Sequence, residues 1–184
     1  MHQLSADQRA AAQEQTLASR VPPSGASRAA PWLIGFAALG TDQLTKWLVS
    51  RSFLPGDTLP VLPHVLHLSY VQNRGAAFGI FQGRQIVFIV LAVGVIAWLI
   101  RELAVRPSAS RMMQWGCGLV LGGSAGNLLD RLRVGYVVDF LDFRVWPVFN
   151  IGDSAITVGV TLLILHSLFL AQGHGAGGMG RGQS

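Results

Sequence analysis

An uncharged apolar run from Ile86 to Ile100 constrains the fold of this chain more than any other feature. With its flanks it makes a segment over residues 85–104, and about 20 helical residues at ~1.5 Å each suffice to cross the ~30 Å hydrocarbon core of a bilayer. The segment ends in a group of charged residues and a proline, Arg101, Glu102, Arg106 and Pro107. The run therefore predicts a transmembrane helix.

The composition of the whole chain also indicates a membrane protein. Hydrophobic residues make up 51% of the 184 positions and charged residues only 12%, whereas a soluble domain carries roughly 25% charged residues. The net charge of +5 comes almost entirely from scattered arginines. A nucleic-acid-binding surface would need these arginines on one face, so we expect no nucleic-acid partner and favour a role for them at membrane flanks.

Three further segments, residues 31–49, 112–129 and 151–171, are predicted to span the membrane. The first opens with Pro31, a residue favoured in the first helical turn, and the second carries glycines at spacings that let helices approach closely. Residues 51–82 are predicted to form a small β element, residues 131–150 a loop, and residues 1–30 and 172–184 disordered tails. We therefore predict a four-helix membrane bundle with one folded unit, residues 31–171.

Four spans place both termini on the same side of the membrane. Three arginines in the short turn between the second and third spans, Arg101, Arg106 and Arg111, favour cytoplasmic termini by the positive-inside rule. The β element, the 131–150 loop and the polar helix ends would then share the opposite face.

Several carboxylates lie in or beside the most apolar stretches of the chain. They are Asp42, Asp130, Asp139, Asp142 and Asp153. Carboxylates are costly at membrane depth and usually mark a functional site. Because Asp139 and Asp153 flank one short loop, they suggest a pair of catalytic carboxylates, whereas we assign Asp142 to solvent or to Arg144.

Each polar group also has a structural interpretation, and the residues alone leave both open. Asn127 and Asp130 are three apart and share a helix face, where they either line a cavity or reach the headgroups at a helix end. Asp153 lies in the first turn of a helix, where a carboxylate caps free N–H groups. Asn150, three residues earlier, could serve as the cap instead and free Asp153 for the cavity.

Two polar segments precede these groups in the chain. Asn73, Arg74 and Gly75 end the β element in a loop that suits recognition of an extended chain or a lipid headgroup, or is an ordinary turn. Asp42 and Lys46 are four residues apart on a helix and are predicted to form a structural ion pair.

Other chemistries are less consistent with the spacing. Residues 122–126 match G-x-S-x-G, but a nucleophile elbow around Ser124 needs a strand before it, and this stretch reads as helix. His64 and His67 lack a third ligand, so no metal or other cofactor is expected. A transporter or channel subunit remains the alternative, and it would depend on Asp42 and Lys46 as much as on Asp139.

Five ordered motifs resemble those of bacterial lipoprotein signal peptidases, the type II signal peptidases. They are Asp-Gln-Leu-Thr-Lys at 42–46, Asn-Arg-Gly-Ala-Ala-Phe at 73–78, Gly-Asn-Leu-Leu-Asp-Arg at 126–131, Val-Val-Asp-Phe at 137–140 and Phe-Asn-Ile-Gly-Asp-Ser-Ala-Ile at 149–156. The resemblance covers about residues 31–170.

The resemblance implies a monomeric aspartyl endopeptidase of the bacterial inner membrane, with four transmembrane helices, a periplasmic β-cradle and an active site toward the periplasm. Its substrates would be diacylated prolipoproteins among membrane lipids, cut before the lipidated cysteine. The resemblance assigns Asp139 and Asp153 as the catalytic pair. The supporting polar residues would be Asn73, Arg74, Gly75, Asn127, Asp130, Arg131 and Asn150.

Two close carboxylates share a proton, so one can act as base on a water while the other acts as acid. Phe78, Phe140, Trp146 and the small residues of the third span are hypothesised to form apolar walls for the acyl chains and the signal helix. Gly152 stands where the family usually has alanine, and we expect looser packing there.

Overall fold

The computed structural model describes residues 25–75, 85–105 and 110–175. Within these ranges the chain forms four helices and three strands: α1 (Gly25–Ser52), β1 (Thr58–Leu62), β2 (Leu66–Asn73), α2 (Gln85–Val105), α3 (Arg111–Arg133), β3 (Val137–Asp142) and α4 (Ile151–Gly175). The four predicted helical segments are all present as helices. Phe78 and most of the two predicted tails, residues 1–24 and 176–184, lie outside the described residues.

The ends of two helices differ from the prediction. α1 begins at Gly25, so Pro31 lies inside the helix rather than at its first position. The six residues before Pro31 include three alanines, the strongest helix formers, and they carry the helix into the predicted tail. α4 likewise continues to Gly175, four residues beyond the predicted end.

α3 is the central helix and packs against each of the other three. Glycines let it approach α1 and α4 backbone to backbone, because a Cβ at these positions would meet a carbonyl oxygen of the neighbouring helix. The pairs are Gly122 with Gly35 on α1, and Gly116 with Gly159 and Gly123 with Gly152 on α4. The predicted role of the small residues in close helix packing is therefore confirmed.

The strands form one antiparallel sheet in the order β1-β2-β3. β3 comes from within the predicted 131–150 loop and pairs with β2, so that Val71 faces Asp139 and Asn73 faces Val137. One face of the sheet packs on the end of α1 through a cluster of Val49, Tyr70, Val138 and Phe140. The sheet is thereby anchored to the helices at the end where the polar residues gather.

Phe140 does not form an apolar wall for a substrate. Its side chain is only 4% exposed and belongs to the cluster between the sheet and α1. The hypothesis failed because residues alternate between the two faces of a strand. Phe140 therefore faces the opposite way from its neighbour Asp139.

Two of the helices have the length and composition to cross a membrane. They are α2, over Gln85–Val105, where the mean hydropathy reaches 2.4, and α4, over Ile151–Phe169, where it reaches 1.6. Large apolar side chains on α2, among them Ile86, Val90 and Trp98, are exposed on the outside of the fold. An outward apolar surface of this kind is suited to lipid rather than water.

Candidate active site

Asp139 lies on β3, where its carboxylate is 1% exposed and held by two amides. Asn73 Nδ2 donates to Asp139 Oδ2 at 2.8 Å from the end of β2. Asn150 Nδ2 donates to Oδ1 at 2.6 Å from the start of α4. Three separate elements therefore meet at this carboxylate.

Asp153 is both a helix-capping residue and a member of the polar cluster. Asn150 Oδ1 accepts from the Asp153 backbone N–H at 2.8 Å, and Asp153 Oδ2 accepts from the Asn150 backbone N–H at 3.3 Å. This reciprocal arrangement is a capping box. The second carboxylate oxygen, Oδ1, accepts from Asn127 Nδ2 at 2.8 Å, so Asp153 caps the helix and also contacts the polar cluster, and its catalytic role stays a prediction.

Asn150 links the two aspartates. Its side chain binds Asp139, while its backbone N–H binds Asp153. Burial, followed by the negative charge of Asp153, raises the pKa of Asp139 to about 7, although the amides of Asn73 and Asn150 act in the opposite direction. A carboxyl group with this pKa exchanges a proton near neutral pH, as a general acid or base must.

Lys46 lies behind the aspartate pair in a buried cluster of charges. Its ammonium is 2.8 Å from Asp42 Oδ2 and 2.9 Å from Asp130 Oδ2. It also donates to Asn127 Oδ1 at 2.8 Å. The predicted ion pair with Asp42 is confirmed. Asn127, which accepts from this ammonium, also donates to Asp153, so Asn127 links Lys46 to Asp153.

Gln43 belongs to this cluster and was missed by the sequence analysis. Its Nε2 atom lies 3.0 Å from Asp130 Oδ1 and 3.3 Å from Asp42 Oδ2, and it also donates to the carbonyl oxygen of Gly126. The feature of the sequence that could have identified Gln43 is its position as a neutral polar residue beside Asp42 in an apolar span. The Lys46 ammonium alone cannot provide hydrogen bonds to all the carboxylate oxygens of Asp42 and Asp130. The Gln43 amide supplies additional donors to them.

Asp130 connects α3 to the sheet. In addition to Lys46, its Oδ2 atom accepts from the backbone N–H of Val138 at 3.3 Å. The next residue, Arg131, donates from Nη1 to the Asn127 carbonyl oxygen at 3.3 Å and lies over the Phe88 ring at 5.1 Å. Asp130 thus faces the interior of the cluster, whereas Arg131 turns toward α2.

The segment after β2 combines a turn with a polar contact. Asn73 Oδ1 accepts from the Gly75 backbone N–H at 3.0 Å, and this contact directs the amide nitrogen of Asn73 toward Asp139. Arg74, between them, is exposed. The turn therefore positions Asn73, and a recognition role for Arg74 stays a prediction.

Asp142 stands apart from the pair. Its carboxylate accepts from the Arg144 backbone N–H at 2.8 Å, from Arg144 Nη1 at 3.0 Å and from Ser69 Oγ at 3.0 Å. Burial acts to raise the pKa of Asp142, but these hydrogen bonds outweigh burial and hold the pKa below its usual value. The predicted partner Arg144 is confirmed.

Ser124 does not have the setting of a nucleophile elbow. It lies in the middle of α3, with helix on both sides, and its side chain is buried. A nucleophile elbow requires a strand that leads into the turn. The G-x-S-x-G match is therefore a chance match within a helix rich in small residues.

Gly152 is closely packed, so the expectation of looser packing at this position is wrong. A Cβ there would lie 3.0 Å from Asp42 Oδ1 and 3.1 Å from the Gly123 carbonyl oxygen. Its backbone N–H donates to Asp42 Oδ1 at 2.7 Å. The close approach of α3 and α4 takes up the space that the missing methyl leaves.

An apolar cavity of about 630 Å³ adjoins Asp153. Its walls are the 143–149 loop and the first turns of α4, with the lining residues Phe143, Val145, Trp146, Phe149, Asp153, Ser154, Thr157 and Val158. The Phe143 and Phe149 rings are stacked, with centroids 5.8 Å apart. Trp146 does line a cavity beside the aspartate pair, as the wall hypothesis requires.

Known proteins were compared with this chain in sequence and in structure. Residues 34–169 match the family model described as signal peptidase (SPase) II. The lipoprotein signal peptidase of Halothermothrix orenii is 50% identical over 68% of this chain and 86% of its own length, and that of Moorella thermoacetica is 44% identical over 71% and 87%. A bacterial membrane enzyme solved by the in meso method superposes with a TM-score of 0.74 at 30% identity, over 84% of this chain and 93% of its own.

Proposed function

This chain belongs to the signal peptidase II family, and we propose that it is an intramembrane aspartyl endopeptidase. Its substrates are diacylglyceryl-modified prolipoproteins, and it cuts the signal peptide just before the lipidated cysteine. The observation that carries this proposal is the link through Asn150, which binds Asp139 with its side chain and Asp153 with its backbone N–H. A buried carboxylate and a half-buried one held together in this way can activate a water without a metal.

The surroundings of the two aspartates suggest which one carries the proton. Asp153 lies at the N-terminus of α4, where the helix dipole favours a negative charge, and it accepts from a side-chain amide and a backbone N–H. Asp139 has a pKa raised to about 7. We therefore assign the ionised form to Asp153 and the protonated form to Asp139.

With these protonation states, hydrolysis proceeds in two steps. Asp153 takes a proton from a water as the water oxygen attacks the scissile carbonyl carbon, and Asp139 donates its proton to the carbonyl oxygen. The tetrahedral diol then collapses as its hydroxyl returns a proton to Asp139. Asp153 passes its own proton to the amide nitrogen, the C–N bond breaks, and both carboxyl groups regain their starting states.

We also propose that all four helices cross the bacterial inner membrane, with both termini in the cytoplasm and the site toward the periplasm. α1 and α3 are 28 and 23 residues long, enough for a span, and their charged groups face one another inside the bundle. Asn73, Asn127, Asp139, Asn150 and Asp153 all come from one chain, which supports a monomeric enzyme.

A cleavage assay tests this function. The purified protein in detergent is incubated with a diacylated prolipoprotein, and the loss of the signal peptide is followed as a gel shift. Asp139→Asn and Asp153→Asn run in parallel, with circular dichroism and unfolding midpoints as controls for folding. We expect cleavage by the wild type and none by either folded variant.

Other outcomes would redirect the assignment. Full cleavage by both variants would remove the aspartates from the chemistry, and Ser124→Ala would then be tested next. A wild-type protein that cuts nothing would contradict the peptidase proposal. The transporter alternative loses its basis, because the family is a peptidase family and Asp42 and Lys46 neutralise one another inside the bundle.

A further inference from the structure

A smaller cavity, of about 150 Å³, lies between the ends of α1 and α3 and the sheet. Val138 lines this cavity, and because adjacent residues of a strand face opposite sides, the cavity is on the other side of β3 from Asp139. At roughly 30 Å³ per water molecule, it has room for a group the size of about five waters. It therefore suits a small polar group, whereas a peptide helix about 10–12 Å across does not fit.

Several polar groups in the wall of this cavity are already satisfied by the protein. The Lys46 ammonium uses its three donors within the bundle. Both carboxylate oxygens of Asp130 accept hydrogen bonds from neighbouring groups, and Ser50 Oγ donates to the Lys46 carbonyl oxygen. These groups hold α1, α3 and the sheet together and do not require a ligand.

The polar groups that remain are hydrogen-bond donors. Tyr70 Oη and Tyr136 Oη are 3.4 Å apart, and only one of their two protons can lie between them. Tyr70 is 6% exposed, and the described residues offer the second proton no other acceptor. Arg133, the last residue of α3, forms no ion pair within the described ranges. Because buried donors need partners and guanidinium groups only donate, a ligand here must bring acceptors, and a negative charge strengthens the contact.

The rim of the cavity has the features of a membrane interface. Trp47 lines the cavity and is 53% exposed, and the Arg51 guanidinium lies 5.7 Å from its ring centroid. Tryptophan is enriched where a protein meets the headgroups, and basic side chains there attract anionic lipids.

An apolar strip of α1 continues from this rim toward the N-terminus of the helix. Leu44 and Leu33 are 56% and 66% exposed. They are about three helical turns apart, so they face the same side of α1 and are separated by about 16 Å. This distance is roughly half of the ~30 Å hydrocarbon core. The strip therefore matches the depth of one leaflet, with the polar cavity at its end.

We propose that this cavity binds the phosphodiester headgroup of a membrane phospholipid, with Arg133 and a tyrosine hydroxyl as donors to the phosphate oxygens. The acyl chains of the lipid lie along the strip of Leu44 and Leu33. The bound lipid is distinct from the substrate, because β3 separates this cavity from the side of the sheet that carries Asp139. The inference requires a membrane but does not depend on the peptidase activity.

Lipid binding in the absence of substrate tests the proposal. The delipidated full-length protein in non-ionic detergent is titrated with radiolabelled dioleoylphosphatidylglycerol in a scintillation proximity assay. Unlabelled dioleoylglycerol, which has the same chains but no phosphate, and sodium phosphate, which has no chains, are the competitors. The variants are Arg133→Gln and its matched control Arg111→Gln, which removes one exposed charge from the opposite end of α3.

We expect Arg133→Gln to raise the Kd of the labelled lipid by about tenfold or more, the contribution of a hydrogen bond to a charged group. Arg111→Gln should stay within about twofold of the wild type, as expected for an exposed charge without a partner. Equal losses in the two variants, or full competition by dioleoylglycerol, would indicate nonspecific lipid association and overturn the proposal. Displacement by sodium phosphate beyond that by sodium chloride of equal ionic strength would assign the cavity to a free anion and also overturn it.

The two tyrosines provide a second variant in case Arg133→Gln does not fold. Tyr70→Phe combined with Tyr136→Phe removes both hydroxyls and keeps both rings. The Kd should rise about fivefold, the contribution of one neutral hydrogen bond. An unchanged Kd would overturn the proposal, because the donors that call for an acceptor would then have no part in binding.

Crosslinking locates the headgroup directly. A phosphatidylglycerol analogue that carries a diazirine on its headgroup glycerol is bound to the wild-type protein and irradiated. Crosslinks within residues 43–51 or 133–138 are expected. Crosslinks confined to residues 143–158 would place the lipid in the cavity beside Asp153 and overturn the proposal.

Discussion

The side-chain amide of Asn150 donates to Asp139 Oδ1 at 2.6 Å. The same residue directly precedes α4 and caps it by exchanging two hydrogen bonds with Asp153. The sheet and the last helix each bring one aspartate, and Asn150 fixes the distance between them. Different substitutions of Asn150 should therefore show separately how much it contributes to the stability of α4 and how much to the alignment of the two aspartates.

Asn150→Ser is predicted to lose activity without losing much stability. Serine caps helices about as well as asparagine, but its shorter side chain cannot reach Asp139. We expect kcat/KM to fall about 100-fold, typical of lost positioning at a reacting group. The unfolding midpoint should stay close to that of the wild type, as measured by thermal denaturation in detergent.

Asn150→Ala provides the matched control. It removes both the cap and the contact with Asp139, so it should lose activity as the serine variant does and also about 1 kcal/mol of stability. If the serine variant kept full activity, the contact between Asn150 and Asp139 would have no part in catalysis.

The pH dependence of cleavage should follow the ionisation of Asp139. Its pKa is raised to about 7 by burial and by the charge of Asp153, and the proposed mechanism needs its protonated form. As pH rises through that pKa the proton is lost, so kcat/KM should fall about tenfold per pH unit above about 7. A profile that stays flat from pH 6 to 9 would contradict this protonation state.

Asn73→Ala should move this alkaline limb to higher pH. The Asn73 amide donates to Asp139 Oδ2 and lowers the pKa of that carboxyl. Removing the donor destabilises the ionised form, so the pKa should rise and the protonated form should persist further up the pH scale. The measurement is kcat/KM from pH 5 to 9 for the wild type and the variant.

Lys46→Met should be among the most destabilising single substitutions. The ammonium is 3% exposed and contacts two carboxylates, so its removal leaves buried negative charge without compensation. The expected loss is about 3–5 kcal/mol. Arg144→Met, which breaks the half-exposed pair with Asp142, should cost no more than about 1 kcal/mol. If Lys46→Met and Arg144→Met lowered the free energy of unfolding equally, burial of the ion pair would not determine how much its loss destabilises the protein.

The sequence predicted the helices, and it singled out Asp139 and Asp153, which the structure brings together at Asn150, because both features leave strong local signals. An uncharged run of span length and an aspartate in an apolar stretch can each be recognised without knowledge of the fold. The ion pair of Asp42 and Lys46 was predicted for the same reason, since four residues make one helical turn. Its extension to Asp130 and Asn127 depends on how α1 packs on α3, which no local spacing contains.

The errors also have physical causes. Phe140 was placed beside the substrate because it follows Asp139, yet adjacent residues of a strand face opposite sides. Gly152 was expected to leave space, but the helices approach until their backbones fill it. Both errors concern tertiary packing, which depends on residues far apart in the chain.

Gly123→Ala should test how tightly the central helix is held. A Cβ at Gly123 would meet the carbonyl oxygen of Gly152, and a backbone atom cannot move aside as a flexible side chain can. Because Gly152 directly precedes Asp153, the added methyl should push α4 away from α3 and lengthen the contact between Asn127 and Asp153. We expect a loss of about 1–3 kcal/mol of stability and a fall in cleavage rate.

Gly94→Ala is the control, because a Cβ at Gly94 meets no atom within 4 Å. Alanine is favoured over glycine within a helix by roughly 0.5–1 kcal/mol, so this variant should be as stable as the wild type or slightly more so, with full activity. If both alanine variants behaved alike in thermal unfolding and cleavage assays, the contact between Gly123 and Gly152 would not control the geometry of the aspartate pair. A loss confined to Gly123→Ala would show that the glycine contact between α3 and α4 holds Asp153 in place.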